Sequence, residues 1–213
     1  MTDAYRTLEA TGRAEHRVDG SRFLAEALPV ADRPAAEAAV DEVRTREHKA
    51  THHCSAFRVG ATGDTFHYDD DGEPSGTAGA PILRQIDARE VTNVLVVVTR
   101  YYGGTKLGTG GLARAYGTAA DRALSQAPIV EHVVRRPVRI QYDYDDTAPA
   151  EQVLRRFDVT EMDSRYTDVT TKTVGVRPSD VDAFVETFTN ALGGRGTILQ
   201  VGEDADENES LGG

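Results

Sequence analysis

The chain has 213 residues and a formal net charge of −11 at pH 7, because 35 acidic side chains outnumber 24 lysines and arginines. This length allows one large domain or two small ones, and 39 % hydrophobic residues are enough to build a core. The acidic balance argues against a broad basic surface for nucleic acid. The single cysteine excludes an internal disulfide framework, and the apolar runs are too short to span a bilayer.

The N-terminus and the composition predict the environment in which the protein works. Residues 1–6 contain no apolar signal core, so we expect a cytoplasmic protein. Lysine is rare, whereas aspartate is abundant. A strongly acidic surface stays soluble in concentrated salt, where repulsion between carboxylates is screened. We therefore hypothesise adaptation to a high-salt (halophilic) cytoplasm.

The first part of the sequence predicts a mixture of strands and helices. Strands are predicted at residues 5–11, 21–28, 54–59 and 94–98. The last of these is β-branched and continuous, which is typical of a strand buried on both faces. Asp32 is placed to cap a helix that runs to about residue 49, and shorter helices are predicted at residues 77–88 and 112–126.

The second part of the sequence predicts the element order β-α-β-β-α-β of a ferredoxin-like domain. Its strands are predicted at residues 133–144, 159–166, 168–176 and 196–201, and its helices at 148–157 and 179–192. Ser179 is a favourable N-cap, and Gly193-Gly194 is a favourable helix stop. We therefore expect an α+β protein with domains at residues 1–130 and 131–202, followed by a disordered acidic tail at residues 203–213.

The most informative segment is residues 100–116, RYYGGTKLGTGGLARAY. Its glycines let backbone N–H groups approach a ligand, and the loop leads from a buried strand into a helix N-terminus, where anions bind. The three tyrosines could stack on bases or pack in the core. The alternative is that the glycines serve only tight turns and helix–sheet packing. The predicted nucleic-acid or anion-binding residues are Arg100, Tyr101, Gly103, Gly104, Lys106, Gly108, Gly110, Gly111 and Arg114.

A second motif, DDGEPSGTAG at residues 70–79, combines carboxylates and hydroxyls at the start of a predicted helix. Such groups could bind a metal or a ligand, or act as acid and base. The alternative is a turn followed by a capped helix with acidic residues at the favourable dipole end. The possible ligand-binding residues are Asp71, Glu73, Ser75 and Thr77.

Several well-known sites do not match this sequence. The glycine loop fails the Walker A pattern, because Thr109-Gly110 stands where Lys-Ser/Thr is required, and it fits the dinucleotide-binding fingerprint poorly. The acidic turn is not an EF-hand. His52-His53-Cys54 offers too few ligands for zinc, so we prefer a buried structural cysteine. We expect no cofactor and no metal, and we assign no catalytic residue.

These motifs together closely resemble the IMPACT/YigZ family. The resemblance rests on residues 70–79 and 97–116, with further similarity at residues 21–25 and 50–54. It implies an N-terminal domain like domain 2 of ribosomal protein S5 and a C-terminal domain like a late domain of elongation factor G. Eukaryotic members regulate translation by restraining an initiation-factor kinase, so the resemblance implies a translation-linked regulator.

Two functional hypotheses follow from the motifs and the resemblance. The first is a translation-associated regulatory protein that contacts RNA, the ribosome or a translation factor through the basic glycine loop. The second is an enzyme that acts on a small phosphorylated substrate in a cleft between the acidic turn and the glycine loop. The absence of a nucleophile–base pair ranks the enzyme second. A third hypothesis is a module that binds only proteins. It differs from RNA binding because its partner would stay bound after nuclease treatment.

Overall fold

The computed structural model describes residues 2–202 and 205–206. The chain divides into two units. The N-terminal unit is Tyr5–Glu131, and the C-terminal unit is Met1–Ala4 together with His132–Gly213. The predicted acidic tail lies outside the described residues, apart from the backbone of residues 205–206.

The N-terminal part of the chain alternates strands and helices. In chain order these are β1 (Ala4–Leu8), β2 (Gly12–Val18), β3 (Ser21–Pro29), α1 (Arg33–Arg46), β4 (His52–Val59), β5 (Thr65–Asp69), α2 (Gly79–Ala88), β6 (Val94–Tyr101) and α3 (Gly108–Gln126). Asp32 caps α1 as predicted, because its Oδ1 accepts the N–H of Ala35 at 2.8 Å.

The sheet of the N-terminal unit has the strand order β2-β3-β6-β4-β5, and each neighbouring pair is antiparallel. The central strand β6 is buried on both faces, as its apolar run predicted. Val96 and Val98 pack in one core with α2 and α3, whereas Leu95 and Val97 pack in another core with α1. By the two-residue period of a strand, Arg100 belongs to the α2/α3 face.

Three features of this unit differ from the sequence predictions. Strands β2 and β5 were not predicted, because they lie at the sheet edges and carry exposed polar residues that weaken the apolar pattern. Helix α3 begins at Gly108 rather than at residue 112. Glycine has a low helix propensity, but packing of the following turns of α3 against the sheet outweighs this preference.

The C-terminal unit has the predicted β-α-β-β-α-β order. Its elements are β7 (Ile129–Tyr142), α4 (Thr147–Arg156), β8 (Val159–Tyr166), β9 (Thr170–Val176), α5 (Val181–Ala191), β10 (Thr197–Val201) and β11 (Ala205–Asp206). In its sheet, β7 pairs with β9, β9 pairs with β8, and both β10 and β11 pair with β7; each of these pairs is antiparallel. The α+β fold class is therefore confirmed.

The start of α5 corrects one predicted contact. Ser179 does not cap the helix; it lies in the 3-10 turn Pro178–Asp180, and the N-cap of α5 is Asp180. Instead, the Ser179 hydroxyl donates to Oδ2 of Asp3 at 2.5 Å, and its N–H donates to Oδ1 at 3.0 Å. The predicted stop is confirmed, because Gly193 and Gly194 follow α5 with φ of 57° and 80°.

No helix in the described part of the chain combines the length and the apolar character that crossing a membrane requires.

Candidate functional site

Asp70 organises the acidic turn between β5 and α2. Its Oδ1 accepts the N–H groups of Ala78 and Gly79 at 2.9 and 2.8 Å, and its Oδ2 accepts that of Gly76 at 2.7 Å. Burial would raise the pKa of Asp70, but these three backbone donors outweigh it and hold the pKa below its ordinary value. The carboxylate thus fixes the turn against the start of α2.

Asp71 attaches the same turn to its neighbours. It has a left-handed backbone with φ of 42°, and its Oδ1 accepts from Arg44 Nη2 at 3.0 Å. Its Oδ2 accepts the N–H of His53 at 2.6 Å, and its carbonyl oxygen lies 2.7 Å from His52 Nδ1. Both carboxylate oxygens of this predicted ligand-binding residue are therefore occupied by contacts within the protein.

The other predicted residues of the turn have different environments. Thr77 is buried, and its hydroxyl donates to the carbonyl of Pro74 at 2.6 Å within the turn. It does not cap α2, because the N-cap of that helix is Ala78. Ser75 is exposed. Glu73 points inward, and its side chain is only 4 % exposed.

Glu73 is the centre of a buried hydrogen-bond network. Its Oε1 accepts from Arg100 Nη1 at 2.6 Å and from the hydroxyl of Tyr116 at 2.7 Å, and His52 Nε2 lies 3.9 Å away. Burial raises the pKa of Tyr116, and the nearby Cys54 and Glu73 raise it further. The phenol therefore remains protonated and donates to the carboxylate.

Arg100 is held between two aromatic rings. Its guanidinium carbon lies 5.4 Å from the ring centroid of Phe23 and 5.3 Å from that of Tyr102. Its Nη2 donates to the Ser21 hydroxyl at 3.3 Å, whereas its buried Nε has no hydrogen-bond partner among the described residues. Because Glu73 balances its charge, Arg100 is not the exposed phosphate-binding cation that its sequence position indicated.

A cavity of about 270 Å³ opens beside this network, between the acidic turn and the start of α3. Its walls come from the turn, the end of β6, the glycine loop and α3, which are segments that the fold brings together. The lining residues are Glu73, Pro74, Arg100, Tyr102, Lys106, Leu107, Gly108, Thr109 and Leu112. The two predicted motifs therefore contribute to one site.

The first turn of α3 makes this cavity suitable for an anion. It reads Gly-Thr-Gly-Gly, and in the described structure no side chain makes a capping hydrogen bond at this end. The first N–H groups of a helix have no partner within the helix and carry the positive end of its dipole. Lys106, whose side chain is exposed, adds a full positive charge beside them.

The structure separates the remaining predicted residues of the loop. Tyr101 lies on the opposite face of β6, where its hydroxyl donates to Glu47 Oε2 at 2.7 Å. Arg114 is exposed on α3 and is not among the lining residues. The alternation of side chains along β6 could have shown that Arg100 and Tyr102, rather than Tyr101, share one face.

The five glycines have different roles. A Cβ on Gly103 would lie 1.9 Å from the carbonyl carbon of Gly20, so this position packs one backbone against another. Gly104 and Gly108 have φ of 87° and 68°, which glycine adopts without strain. Gly110 and Gly111 lie in the first turn of α3. Of the five, Gly108 lines the cavity.

Several cavity residues were not among the predicted site residues. The structure adds Pro74, Tyr102, Leu107, Thr109 and Leu112, and it places Tyr116 beneath them as the donor to Glu73. The leucines and the proline are apolar, so a prediction of site residues from charged and polar side chains does not include them. They become part of the site only because the loop folds back over the turn.

Cys54 supports the structural interpretation of the His52-His53-Cys54 segment. It is fully buried, and its thiol donates to the carbonyl of Asp70 at 3.1 Å. Burial raises the pKa of Cys54, so the thiol stays protonated. Among the described residues, no group of three or more His, Cys, Asp and Glu side chains could hold a metal ion.

A larger groove, of about 560 Å³, lies over β2 and β3. Its charges are already matched, because Glu26 accepts from both Arg13, at 3.0 Å, and Arg46. The smaller cavity at α3 is therefore the better candidate for an anionic ligand.

Comparison with known proteins gives two domain matches. Residues 19–124 match the Impact N-terminal domain, and residues 140–195 match DUF1949, a domain of unknown function. The first match includes the acidic turn, the glycine loop and the whole cavity.

Individual proteins resemble the chain over most of its length. It is 32 % identical to IMPACT family member YvyE of Bacillus subtilis, over 94 % of this chain and 92 % of the relative. It is 38 % identical to IMPACT family member YigZ of Escherichia coli, over 68 % of this chain and 72 % of the relative. A crystal structure described as a hypothetical protein superposes with a TM-score of 0.69 at 30 % identity, covering 95 % of this chain and 100 % of that one.

Proposed function

Since the chain belongs to the IMPACT family, we propose that it is a translation-associated regulatory protein that binds RNA and holds one RNA phosphate in the cavity at the start of α3. The family resemblance supports the connection with translation. The cavity supports the contact with phosphate.

The observation that carries this proposal is that Lys106 and the open first turn of α3 border the same cavity. Phosphate groups bind at helix N-termini because the N–H groups donate to their oxygens and the dipole favours negative charge. Contacts of this kind fix the position of a nucleic acid without reading its sequence. The site therefore suits an RNA backbone of any sequence.

Glu73 limits the charge of this site. Its carboxylate offsets the guanidinium of Arg100, so Lys106 supplies the excess positive charge of the lining. One cation and one helix N-terminus match a single phosphate rather than a long stretch of backbone. A local site of this size is compatible with a chain whose net charge is −11.

The test is the binding of a short single-stranded RNA to the full chain over a series of salt concentrations. Removing one phosphate contact, in Lys106→Ala, should weaken binding roughly three- to tenfold and reduce the slope of log K against log salt by about 0.7. Arg84→Ala is the matched control, because it also removes one exposed positive charge but lies on α2 outside the cavity lining. Equal binding by the wild type and Lys106→Ala would refute the site.

A second candidate, an enzyme that acts on a small phosphorylated substrate, is favoured by the buried carboxylate of Glu73 in the cavity wall. The volume of about 270 Å³ is close to the lower end of the range for small-ligand sites. A panel of phosphorylated metabolites tests this candidate. Turnover that Glu73→Gln abolishes would support it, and the absence of both turnover and thermal stabilisation would exclude it.

A further inference from the structure

Tyr102 stands at the rim of the cavity with a ring that is available to a ligand. The residue is 47 % exposed, although the guanidinium of Arg100 packs on its ring. Its backbone N–H donates to the Thr51 hydroxyl at 3.2 Å, which fixes the chain at this point. An exposed and well-supported aromatic ring beside a phosphate site is a platform on which a nucleobase can stack.

Arg100 gives an independent indication that a ligand belongs in the cavity. The residue is 95 % buried and lines the cavity, yet its Nε has no hydrogen-bond partner among the described residues. A buried donor without an acceptor carries a desolvation cost, so such groups in native proteins call for an explanation. An anionic ligand in the cavity would lie beside the guanidinium of Arg100 and add to the negative charge that Glu73 brings to it.

The size of the cavity can be compared with the size and charge of the phosphate groups that RNA offers. Its volume of about 270 Å³ suits one nucleotide-sized group. A phosphate inside an RNA strand is bonded to sugars on both sides, whereas a terminal phosphate is bonded to one. A terminal monoester also carries about −1.5 to −2 charges at neutral pH, against −1 for an internal diester.

From these observations we propose that the cavity binds a terminal phosphate monoester of a nucleotide, such as the 5′ end of an RNA strand, with its base stacked on Tyr102. The inference rests on the proposed function, because it requires a phosphate in the same cavity. It adds a preference for chain ends that phosphate binding alone does not require.

The experiment compares two RNAs of the same sequence, labelled at the 3′ end and carrying either a 5′-phosphate or a 5′-hydroxyl. Fluorescence anisotropy with the full chain should show about tenfold tighter binding of the 5′-phosphorylated RNA, because its added phosphate brings about −1.5 to −2 charges to a lysine and a helix N-terminus. Adenosine 5′-monophosphate should compete with this RNA, whereas adenosine should not.

Two variants test whether the preference for the 5′-phosphorylated RNA comes from the cavity. Lys106→Ala should bring the two RNAs to nearly equal affinity. Tyr102→Ala should weaken binding of the 5′-phosphorylated RNA by roughly five- to a hundredfold through loss of stacking. Tyr68→Ala is the matched control, because Tyr68 is 43 % exposed and lies on β5 outside the cavity lining.

The outcomes separate this inference from the proposed function. Equal affinity for both RNAs, with Lys106→Ala weakening both, would overturn the end preference and leave RNA binding in place. Binding of adenosine 5′-monophosphate without binding of either RNA would support the monoester site and overturn the RNA proposal. Failure of the nucleotide and of both RNAs to bind would overturn both.

Discussion

At the scale of single residues, Glu73 decides the electrostatics of the candidate site. The segment from Arg100 to Arg114 carries three positive charges and no acidic residue, so from the sequence it reads as a basic loop. The fold brings Glu73 to 2.6 Å from Arg100 and makes a buried ion pair. The positive charge that remains at the cavity therefore belongs to Lys106 and to the helix N-terminus.

Replacing Glu73 should destabilise the protein strongly. Glu73→Ala leaves the guanidinium of Arg100 buried without its counter-charge, which costs about 3–5 kcal/mol of unfolding free energy. Glu15→Ala is the control, because Glu15 pairs with Arg17 on an exposed surface, where the loss is about 0–1 kcal/mol. Urea unfolding of both variants measures the difference. Similar losses in the two variants would show that the buried pair contributes little.

At the scale of elements, the acidic turn is held on α2 by one carboxylate. Asp70 accepts three backbone N–H groups, and two of them come from Ala78 and Gly79 at the start of the helix. The structure explains the positions of one glycine and one proline in this segment. Gly79 packs against the backbone of Asp69, and Pro81 lies in the first turn of α2, where proline is tolerated.

The lowered pKa of Asp70 predicts an acid-dependent contribution to stability. Because the pKa is lower in the folded state, the contribution is fully present above the ordinary value of 3.8 and is lost as the pH falls through the folded-state pKa. Asp70→Asn does not titrate, so its unfolding free energy should fall less than that of the wild type on acidification below 3.8. Urea unfolding at neutral and acid pH measures both slopes. Equal slopes would contradict this assignment.

The predictability of the elements follows from their burial. The β-branched strand β6 and the β-α-β-β-α-β order of the C-terminal unit were predicted because long apolar patterns mark them. The edge strands β2 and β5 were not predicted, since one of the seven residues of β2 and none of the five residues of β5 is buried, so the apolar pattern is weak. The early start of α3 was missed because glycine is a poor helix former, and packing rather than propensity places it.

At the scale of the whole molecule, the net charge of −11 predicts a dependence of stability on salt. Repulsion between surface carboxylates destabilises the compact state at low ionic strength, and salt screens it over a Debye length of about 3 Å at 1 M. We therefore expect Tm to rise with potassium chloride up to the molar range. Sucrose, which stabilises by exclusion from the surface without screening, is the control. A Tm that does not change with salt would contradict the halophilic hypothesis.

The sequence by itself determined the α+β fold class, the element order of the C-terminal unit, the family and the two motifs that form the candidate site. These are properties of neighbouring residues, because periodicity, glycine content and capping act within a few positions of the chain. Only the tertiary structure decided that Glu73 neutralises Arg100 and that the two motifs share one site. Glu73 and Arg100 are 27 residues apart. Their contact depends on which strands and turns pack side by side, and no pattern of neighbouring residues in the sequence determines that packing.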